Sequence, residues 1–151
     1  MVLTYREAGE EDLEPLVAML SDDALGAERE DTSRPLNPGY IRAFEQIRRD
    51  PNHELIVVEH SGQPVGMLQL TFIPYLTHIG SWRCQIEGVR IRSDYRGQGL
   101  GKRMLVWAIA RAGERGCALV QLTSDKQRVD ALRFYEQVGF EATHEGFKLR
   151  L

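Results

Sequence analysis

The chain has 151 residues, of which 42% are hydrophobic and 27% are charged, and its formal net charge is −3. This composition excludes an intrinsically disordered chain and fits one globular domain over residues 1–151. The negative charge gives no basic footprint for nucleic acid, and no apolar run is long enough to span a membrane. The polar N-terminus does not resemble a secretory signal, so we expect a cytoplasmic protein.

The cysteines and histidines do not form a metal-binding pattern. Cys84 and Cys117 lie far apart and are predicted to be two reduced thiols. There is no Cys-x-x-Cys, and the histidines at 53, 60, 78 and 144 lack the spacing of zinc ligands. We therefore expect no metal cofactor.

Hydrophobic spacing divides the chain into alternating strands and helices. In chain order we predict a strand at 2–7, helices at 10–21 and 39–49, strands at 55–60, 64–75 and 81–92, a helix at 99–114, a strand at 117–124, a helix at 127–138, and strands at 139–143 and 147–151. Ser61-Gly62-Gln63 is a hairpin signal, and the polar residues 22–38 are predicted to form a loop.

The order β-αα-βββ-α-β-α-ββ predicts a mixed α/β sheet with helices on both faces. The strand at 117–124 should run parallel to the one at 81–92, because a helix connects them.

A glycine-rich stretch, RGQGLG at 96–101, stands at the predicted start of the helix at 99–114. Unpaired amides and the helix dipole make such a start favourable for an anion, and glycine lets a phosphate approach the backbone. The dinucleotide and P-loop patterns both fail here, because Lys102 and Arg96 stand where glycines are needed. On this stretch alone, a plain strand-to-helix turn remains an alternative.

The stretch matches the pattern R-x-x-G-x-G, and with its neighbours it resembles the GNAT superfamily of acetyl-CoA-dependent N-acyltransferases. IEGVRIRSDYRGQGLGKRML (86–105) resembles that family's central strand, pyrophosphate loop and helix in the correct order. ALRFYEQVGF (131–140) resembles its second signature. The predicted element order is also similar over essentially the whole chain.

The resemblance implies a binding site for acetyl-CoA. The loop and helix start would bind the pyrophosphate, and a bulge in the central strand would bind the acetyl carbonyl and pantetheine, with Gly88 easing that bulge. Arg128 stands where many relatives have asparagine, so it either reaches the CoA phosphates or is a solvated cation. The implied cofactor-binding residues are Val89, Arg90, Ile91, Arg96, Gly97, Gln98, Gly99, Leu100, Gly101, Lys102 and Arg128.

Two residues match the family's proton-transfer positions. Glu87 would act as the base toward the amine, often through water, and Tyr135 would be the acid that protonates the CoA thiolate. The structural alternatives are an ion pair of Glu87 with Arg83 or Arg90, and a core tyrosine on an amphipathic helix.

The expected acceptor is a primary amine on a small molecule. The acidic residues at 22–31 would attract a cationic amine, or serve only as a solvated loop. Alternative functions are acetylation of a peptide or protein amine, and a regulatory module that binds acyl-CoA without turnover. Relatives are often dimers, and the sequence does not decide whether this chain forms a homodimer.

Overall fold

The computed structural model describes residues 1–151 and contains one five-stranded sheet in the order β1-β2-β3-β4-β5. The strands are β1 (Thr4–Glu7), β2 (His53–His60), β3 (Gln63–Pro74), β4 (Trp82–Ile91) and β5 (Cys117–Gln121). The helices are α1 (Leu13–Ser21), α2 (Ala24–Arg29), α3 (Pro38–Arg49), the single turn α4 (Thr77–Gly80), α5 (Leu100–Glu114) and α6 (Val129–Val138). The mixed sheet with helices confirms the predicted fold class.

The strand directions follow from the connections. β1 to β4 are antiparallel neighbours, whereas β5 runs parallel to β4, as the helical crossover predicts. The predicted hairpin between β2 and β3 turns at Ser61 and Gly62, whose φ angles of 50° and 74° suit a tight two-residue loop.

The two faces of the sheet carry separate apolar clusters. On one face, α5 buries residues spaced along one helical stripe, including Leu105, Ala108 and Ala112, against Leu70 and Ile86 of the sheet. On the other face, Leu16 and Met19 of α1 pack on Val57 and Met67. Helices therefore cover both faces of the sheet. The site described below lies where β4 and β5 separate.

A buried carboxylate ties α5 to β2. Glu54 is only 5% exposed and accepts hydrogen bonds from both Arg111 and Arg115 of α5. Arg115 also lies over the ring of Phe72, 4.1 Å from its centroid. Because the carboxylate is buried and fully paired, this contact holds α5 in one position along the sheet.

The cysteines are both free thiols, as predicted. Burial raises the pKa of Cys84 to about 12, so this thiol stays protonated at neutral pH. No group of three or more metal-binding side chains is present in the structure. None of the helices is long and apolar enough to cross a membrane.

The structure differs from the predicted elements in several places: β5 ends at Gln121 and not at 124, the turn α4 is not among the predicted elements, and two larger differences follow. Part of the predicted loop at 22–38 forms α2, because the Asp23 carboxylate accepts a hydrogen bond of 2.6 Å from the Gly26 amide and caps the helix. The strands predicted at 139–143 and 147–151 are not formed. Gly139 ends α6 with a φ of 117°, and the residues at 141–151 are exposed and pair with no strand of their own chain. A strand needs a hydrogen-bonding partner, and this segment has none here.

Candidate active site

The site begins where β4 and β5 separate. The two strands pair from Trp82 and Cys117 to Gln85 and Gln121, and there β5 ends. β4 continues to Ile91 and pairs only with β3. One edge of the second half of β4 is therefore free of strand partners. The carbonyl oxygens of Val89 and Ile91 accept hydrogen bonds from Arg90 and Arg96.

A β-bulge interrupts β4 in this open half. Glu87 pairs with Gln69 and Arg90 with Met67, so two residues of β4 face one residue of β3. The first of these two, Gly88, has a φ of +61°, which suits glycine. The expected bulge is thus present, and it changes the direction in which the following residues point.

Six backbone amides in sequence are free at the start of α5. No amide from Gly97 to Lys102 donates a hydrogen bond to a protein group, and the first that does is Arg103, to the Gly99 carbonyl at 3.4 Å. Gly97 and Gly99 have φ angles of 74° and 80°, and a Cβ on either would meet nothing within 4 Å. This loop is a cradle of donors at the positive end of a helix dipole, with open space before it.

Gly101 has a packing role that the sequence did not indicate. A Cβ at this position would lie 3.1 Å from Cζ of Phe134 and 3.3 Å from Cδ1 of Ile91. The side chain is absent because α6 packs closely against the start of α5. The third glycine therefore serves packing between helices, and its amide has no acceptor within the protein.

Most of the cationic and polar side chains of the loop bind the protein itself. Arg96 donates to the carbonyl oxygens of Ile91 at 3.1 Å and Asp22 at 2.7 Å. Gln98 donates to the Asp94 carbonyl at 3.2 Å. These contacts hold the loop in shape, and the exposed Lys102 is the cation in it without a protein partner.

Glu87 is exposed and lies on the opposite face of β4 from the buried Cys84. The ion pair with Arg83 or Arg90 considered above is not formed. Instead, the Gln85 amide donates to the Glu87 carboxylate at 3.2 Å, and the Gln121 amide donates to Gln85 at 2.9 Å. The uncharged side chains of Gln121 and Gln85 thus form a relay of hydrogen bonds that orients the Glu87 carboxylate, and no cation is paired with it.

Tyr135 is partly buried between Phe134 and Phe140, with ring centroids 5.3 Å and 6.0 Å away. Burial raises the pKa of its phenol above the ordinary value, and the Glu87 carboxylate raises it further, while Arg128 and Arg90 oppose this. Its hydroxyl makes no hydrogen bond to a protein group. The structure therefore brings Glu87 and Tyr135 into one electrostatic environment, with the phenol protonated at neutral pH.

Asp23 gathers the two arginines near Tyr135. One carboxylate oxygen of Asp23 lies 3.2 Å from Arg90 Nε and 3.2 Å from Nη2 of the Arg128 guanidinium. Burial raises the pKa of Asp23, but the Gly26 amide and the two arginines outweigh it and hold that pKa below its usual value. Arg90 Nε is buried and not aligned for a hydrogen bond, and burial lowers the pKa of its guanidinium.

Sequence reasoning missed Asp23, Gln85 and Gln121 as parts of the site. The alternation of Gln85 with Glu87 on one face of β4 could have indicated the first glutamine. Nothing in the sequence indicates that Asp23 would meet arginines about 70 and 100 residues away, because that contact depends on tertiary packing.

Most of the acidic residues in 22–31 are bound within the protein. Asp22 contacts Arg96, Asp23 binds the two arginines, and Glu30 accepts from the Tyr40 hydroxyl at 2.9 Å. Asp31 accepts from the Ser33 amide and from Asn37. Only Asp22 and Asp23 are paired with arginines, so Glu28, Glu30 and Asp31 keep a negative charge on this segment.

Comparison with known proteins identifies related sequences and structures. The sequence model of the Acetyltransferase (GNAT) family matches residues 19–140. The chain is 33% identical over 98 residues to the aminoalkylphosphonate N-acetyltransferase of Salmonella typhimurium, covering 65% of this chain and 63% of the relative. It is 34% identical over 91 residues to the glucosamine 6-phosphate N-acetyltransferase of Trypanosoma brucei brucei, covering 60% of each. These alignments therefore span less than two thirds of either relative.

A solved structure is similar over the whole chain. The crystal structure of a protein from Bacillus halodurans C-125, described as a transcriptional regulator, has 59% sequence identity and a TM-score of 0.96, covering 99% of this chain and 100% of that one.

Proposed function

Because the chain belongs to the Acetyltransferase (GNAT) family, we propose that it transfers the acetyl group of acetyl-CoA to the primary amine of a small molecule. The observation that carries the proposal is the run of six free amides from Gly97 to Lys102 beside the open half of β4. The first feature suits a pyrophosphate, and the second suits an extended, amide-containing arm.

In this proposal, the backbone supplies most of the acetyl-CoA site. The amides at 97–102 bind the pyrophosphate, with Lys102 adding a mobile positive charge. The free edge of Val89, Arg90 and Ile91 pairs with the pantetheine arm and polarises the acetyl carbonyl. Arg96 contributes by holding the loop, and Arg128 contributes near Tyr135, where Asp23 fixes it.

Glu87 is assigned as the base. Deprotonation of the acceptor ammonium exposes the nitrogen lone pair, which attacks the thioester carbon to form a tetrahedral intermediate. Gln85 holds one carboxylate oxygen at 3.2 Å and leaves the other free for a water or the amine. Exposure of Glu87 favours transfer of the proton onward to solvent.

Tyr135 is assigned as the acid. Collapse of the intermediate breaks the carbon–sulfur bond, and the departing thiolate takes the phenolic proton. A phenol with a pKa above 10 is a weaker acid than a thiol with a pKa of about 8.5, so complete transfer is uphill unless the phenolate is stabilised. Arg128 and Arg90 reduce this cost but do not remove it, because the pKa is raised even in their presence. The attacking nitrogen loses its second proton to water, and water returns a proton to the phenolate.

The acceptor class is drawn from the relatives and from the site. The two relatives named above act, by their names, on an aminoalkylphosphonate and on glucosamine 6-phosphate, each a small amine with a phosphorus oxyanion. Asp22 and Asp23 are paired with arginines, which leaves a smaller negative charge at 22–31 to attract a polycationic acceptor. We therefore place small amines that carry phosphate or phosphonate first among the candidates.

The test is a panel assay of CoA thiol release from acetyl-CoA, with aminoalkylphosphonates, amino sugar phosphates, polyamines, aminoglycosides and lysine peptides. We expect turnover with a small amine. Glu87→Gln should lower kcat/KM about 10²-fold without changing acetyl-CoA affinity, whereas the exposed Glu10→Gln should have no effect. Equal rates for Glu87→Gln and the unchanged chain would remove Glu87 as the base.

A second candidate function is regulation by acetyl-CoA binding without turnover. The favouring observation is the description of the 59%-identical structure as a transcriptional regulator. A sensor of this kind would bind acetyl-CoA and release no thiol with any member of the panel. The free carboxylate of Glu87 and the unbonded hydroxyl of Tyr135 favour the enzyme, because a sensor has no need of either.

A further inference from the structure

An arginine stands at the far end of the hydrogen-bond relay to Glu87. Nη1 of Arg83 donates to Oε1 of Gln121 at 3.3 Å, and Nε2 of Gln121 donates to Oε1 of Gln85 at 2.9 Å. Nε2 of Gln85 in turn donates to the Glu87 carboxylate at 3.2 Å. Four side chains from two strands therefore form one continuous chain of hydrogen bonds, with a cation at one end and a carboxylate at the other.

The strand register brings these side chains onto one face of the sheet. Arg83, Gln85 and Glu87 alternate along β4, so they share the face opposite the buried Cys84. β5 runs parallel to β4 with Gln121 opposite Gln85. Because Gln121 is the last residue of β5, the relay forms at the point where the two strands separate.

The two ends of the relay determine its direction. A guanidinium can only donate hydrogen bonds, and an ionised carboxylate can only accept them. A glutamine amide both donates and accepts, so by itself it can face a neighbour with either its oxygen or its nitrogen. With Arg83 at one end, the oxygen of each amide must face the arginine, and the nitrogen is left to face Glu87. Without Arg83, both amides can turn over, and Oε1 of Gln85 can then face the carboxylate.

Arg83 is itself held in place by the end of β3 and the turn that follows it. Its guanidinium lies over the ring of Tyr75, 4.4 Å from the centroid, and Nη2 donates to Oγ1 of Thr77 at 3.5 Å. These two contacts leave Nη1 for Gln121. The arginine is therefore a fixed donor at the start of the relay.

We propose that Arg83 is a positioning residue that sets the direction of the relay, so that an N–H of Gln85 and not its carbonyl oxygen faces Glu87. This hydrogen bond stabilises the ionised carboxylate, which is the form that a base requires. Arg83 thus acts on Glu87 through two uncharged side chains and without an ion pair. The consequence for catalysis rests on the proposed function, in which Glu87 is the base, whereas the direction of the relay does not.

The other groups that face Glu87 are the same in every variant used below. Tyr135 of α6 is a titratable group whose charge is coupled to that of Glu87. On β3 the residue paired with Glu87 is the uncharged Gln69. His53 of β2 contacts Thr71 at 3.3 Å, and Thr71 stands opposite Gln85. A change in the pH dependence on removal of Arg83 therefore reports on the relay.

The kinetic test measures kcat/KM across pH with the best acceptor of the panel. Arg83→Met removes the donor and should move the acid limb of kcat/KM to higher pH by about one unit, a loss of about tenfold at a pH on that limb. The affinity for acetyl-CoA should not change. Arg83→Lys keeps a group that only donates, so it should restore the original limb.

Two further variants separate the relay from the other contacts of Arg83. Gln121→Leu interrupts the relay in its middle and should shift the limb as Arg83→Met does. The double variant should shift it no further, because both changes remove the same interaction. Thr77→Val is the matched control, since it removes the other hydrogen bond of Arg83, and it should leave the pH profile unchanged.

The side-chain amide protons of Gln85, observed by NMR in the free protein, give a readout that needs no turnover. One Nε2 proton should be shifted downfield by its hydrogen bond to the carboxylate. The shift should be lost in Arg83→Met and Gln121→Leu and kept in Arg83→Lys. Retention of the shift in Arg83→Met, or an unmoved acid limb in that variant, would overturn the proposal.

The proposed function fails by different results. No turnover of the unchanged chain with any member of the panel, or the original rate in Glu87→Gln, would overturn it. The amide spectrum of Gln85 would then still decide whether Arg83 sets the direction of the relay.

Discussion

The two halves of β4 belong to one continuous strand but have different surroundings. From Trp82 to Gln85 the strand is paired on both sides, and Cys84 is completely buried. From Glu87 to Ile91 it pairs only with β3, none of its residues is fully buried, and Gly88 bulges out of the ladder. The first half holds the sheet together. The second half has an edge without a strand partner, and both proposed proton-transfer residues lie near it.

A similar contrast distinguishes two glycine turns. Gly62 and Gly99 both have positive φ, at 74° and 80°, with open space where a Cβ would be. Gly62 joins two paired strands and creates no run of free amides. Gly99 lies in a loop whose successive amides have no acceptor within the protein, at the start of a helix. The same backbone conformation serves a hairpin in one context and the proposed phosphate site in the other.

The largest expected effect comes from removing the acid beside the open half of β4. Tyr135→Phe should lower kcat about 10³-fold with little change in acetyl-CoA affinity, because the thiolate then departs without a proton. Since the pKa of Tyr135 is raised, the phenol stays protonated until above pH 10, and kcat should show no alkaline loss from this group below that pH. Steady-state kinetics across pH measures both effects.

Tyr5→Phe is the matched control, because Tyr5 stacks on Trp107 at 4.5 Å in the core and has no place in the reaction. It should leave kcat unchanged. If an alkaline limb below pH 10 were present in the original chain and absent from Tyr135→Phe, the direction of the pKa shift would be wrong.

A negative charge in the donor cradle should give the next largest effect. Gly99→Asp should weaken acetyl-CoA binding about 100-fold or more, because a carboxylate beside a pyrophosphate costs several kcal/mol. Calorimetric titration measures the affinity. Gly99→Asn has the same shape and tolerates positive φ equally well, so it should retain most of the affinity. Equal losses in the two variants would show that strain, and not charge, is responsible.

The smallest effect separates the glycine of the β4 bulge from the glycine of the β2–β3 hairpin. Gly88→Ala and Gly62→Ala should each destabilise the fold by about 1–2 kcal/mol, because both place a side chain at positive φ. A Cβ at Gly88 would meet only Leu20, at 3.8 Å, so strain dominates over collision. Only Gly88→Ala should also weaken acetyl-CoA binding, by about tenfold, because it perturbs the bulge. Chemical denaturation and titration of both variants test this difference, and equal affinities would contradict it.

Much of the fold could be predicted from the sequence because its elements are strongly periodic. The helix predicted at 99–114 is observed at Leu100–Glu114, and the strand predicted at 81–92 is observed at Trp82–Ile91. The alternating segment at 147–151 has the pattern of a strand but lacks a neighbour within the chain. The local pattern indicates which conformation a segment favours, whereas a strand forms only where a neighbouring strand pairs with it.

The candidate site could be predicted only in part. The phosphate loop and the bulge at Gly88 depend on local backbone conformation, which glycine positions indicate. The relay from Gln121 through Gln85 to Glu87 depends on where β5 ends beside β4, and sequence spacing does not report that.

By itself, the sequence determined the order of the elements, the family resemblance and the backbone conformation of the loop at 96–101, since these rest on residue types close together in the chain. Only the tertiary structure decided that Arg96 holds the loop and that Gly101 serves packing. It also decided that Asp23 joins Arg90 and Arg128 beside Tyr135. Those outcomes depend on contacts between residues far apart in sequence, which form only when helices and strands pack together.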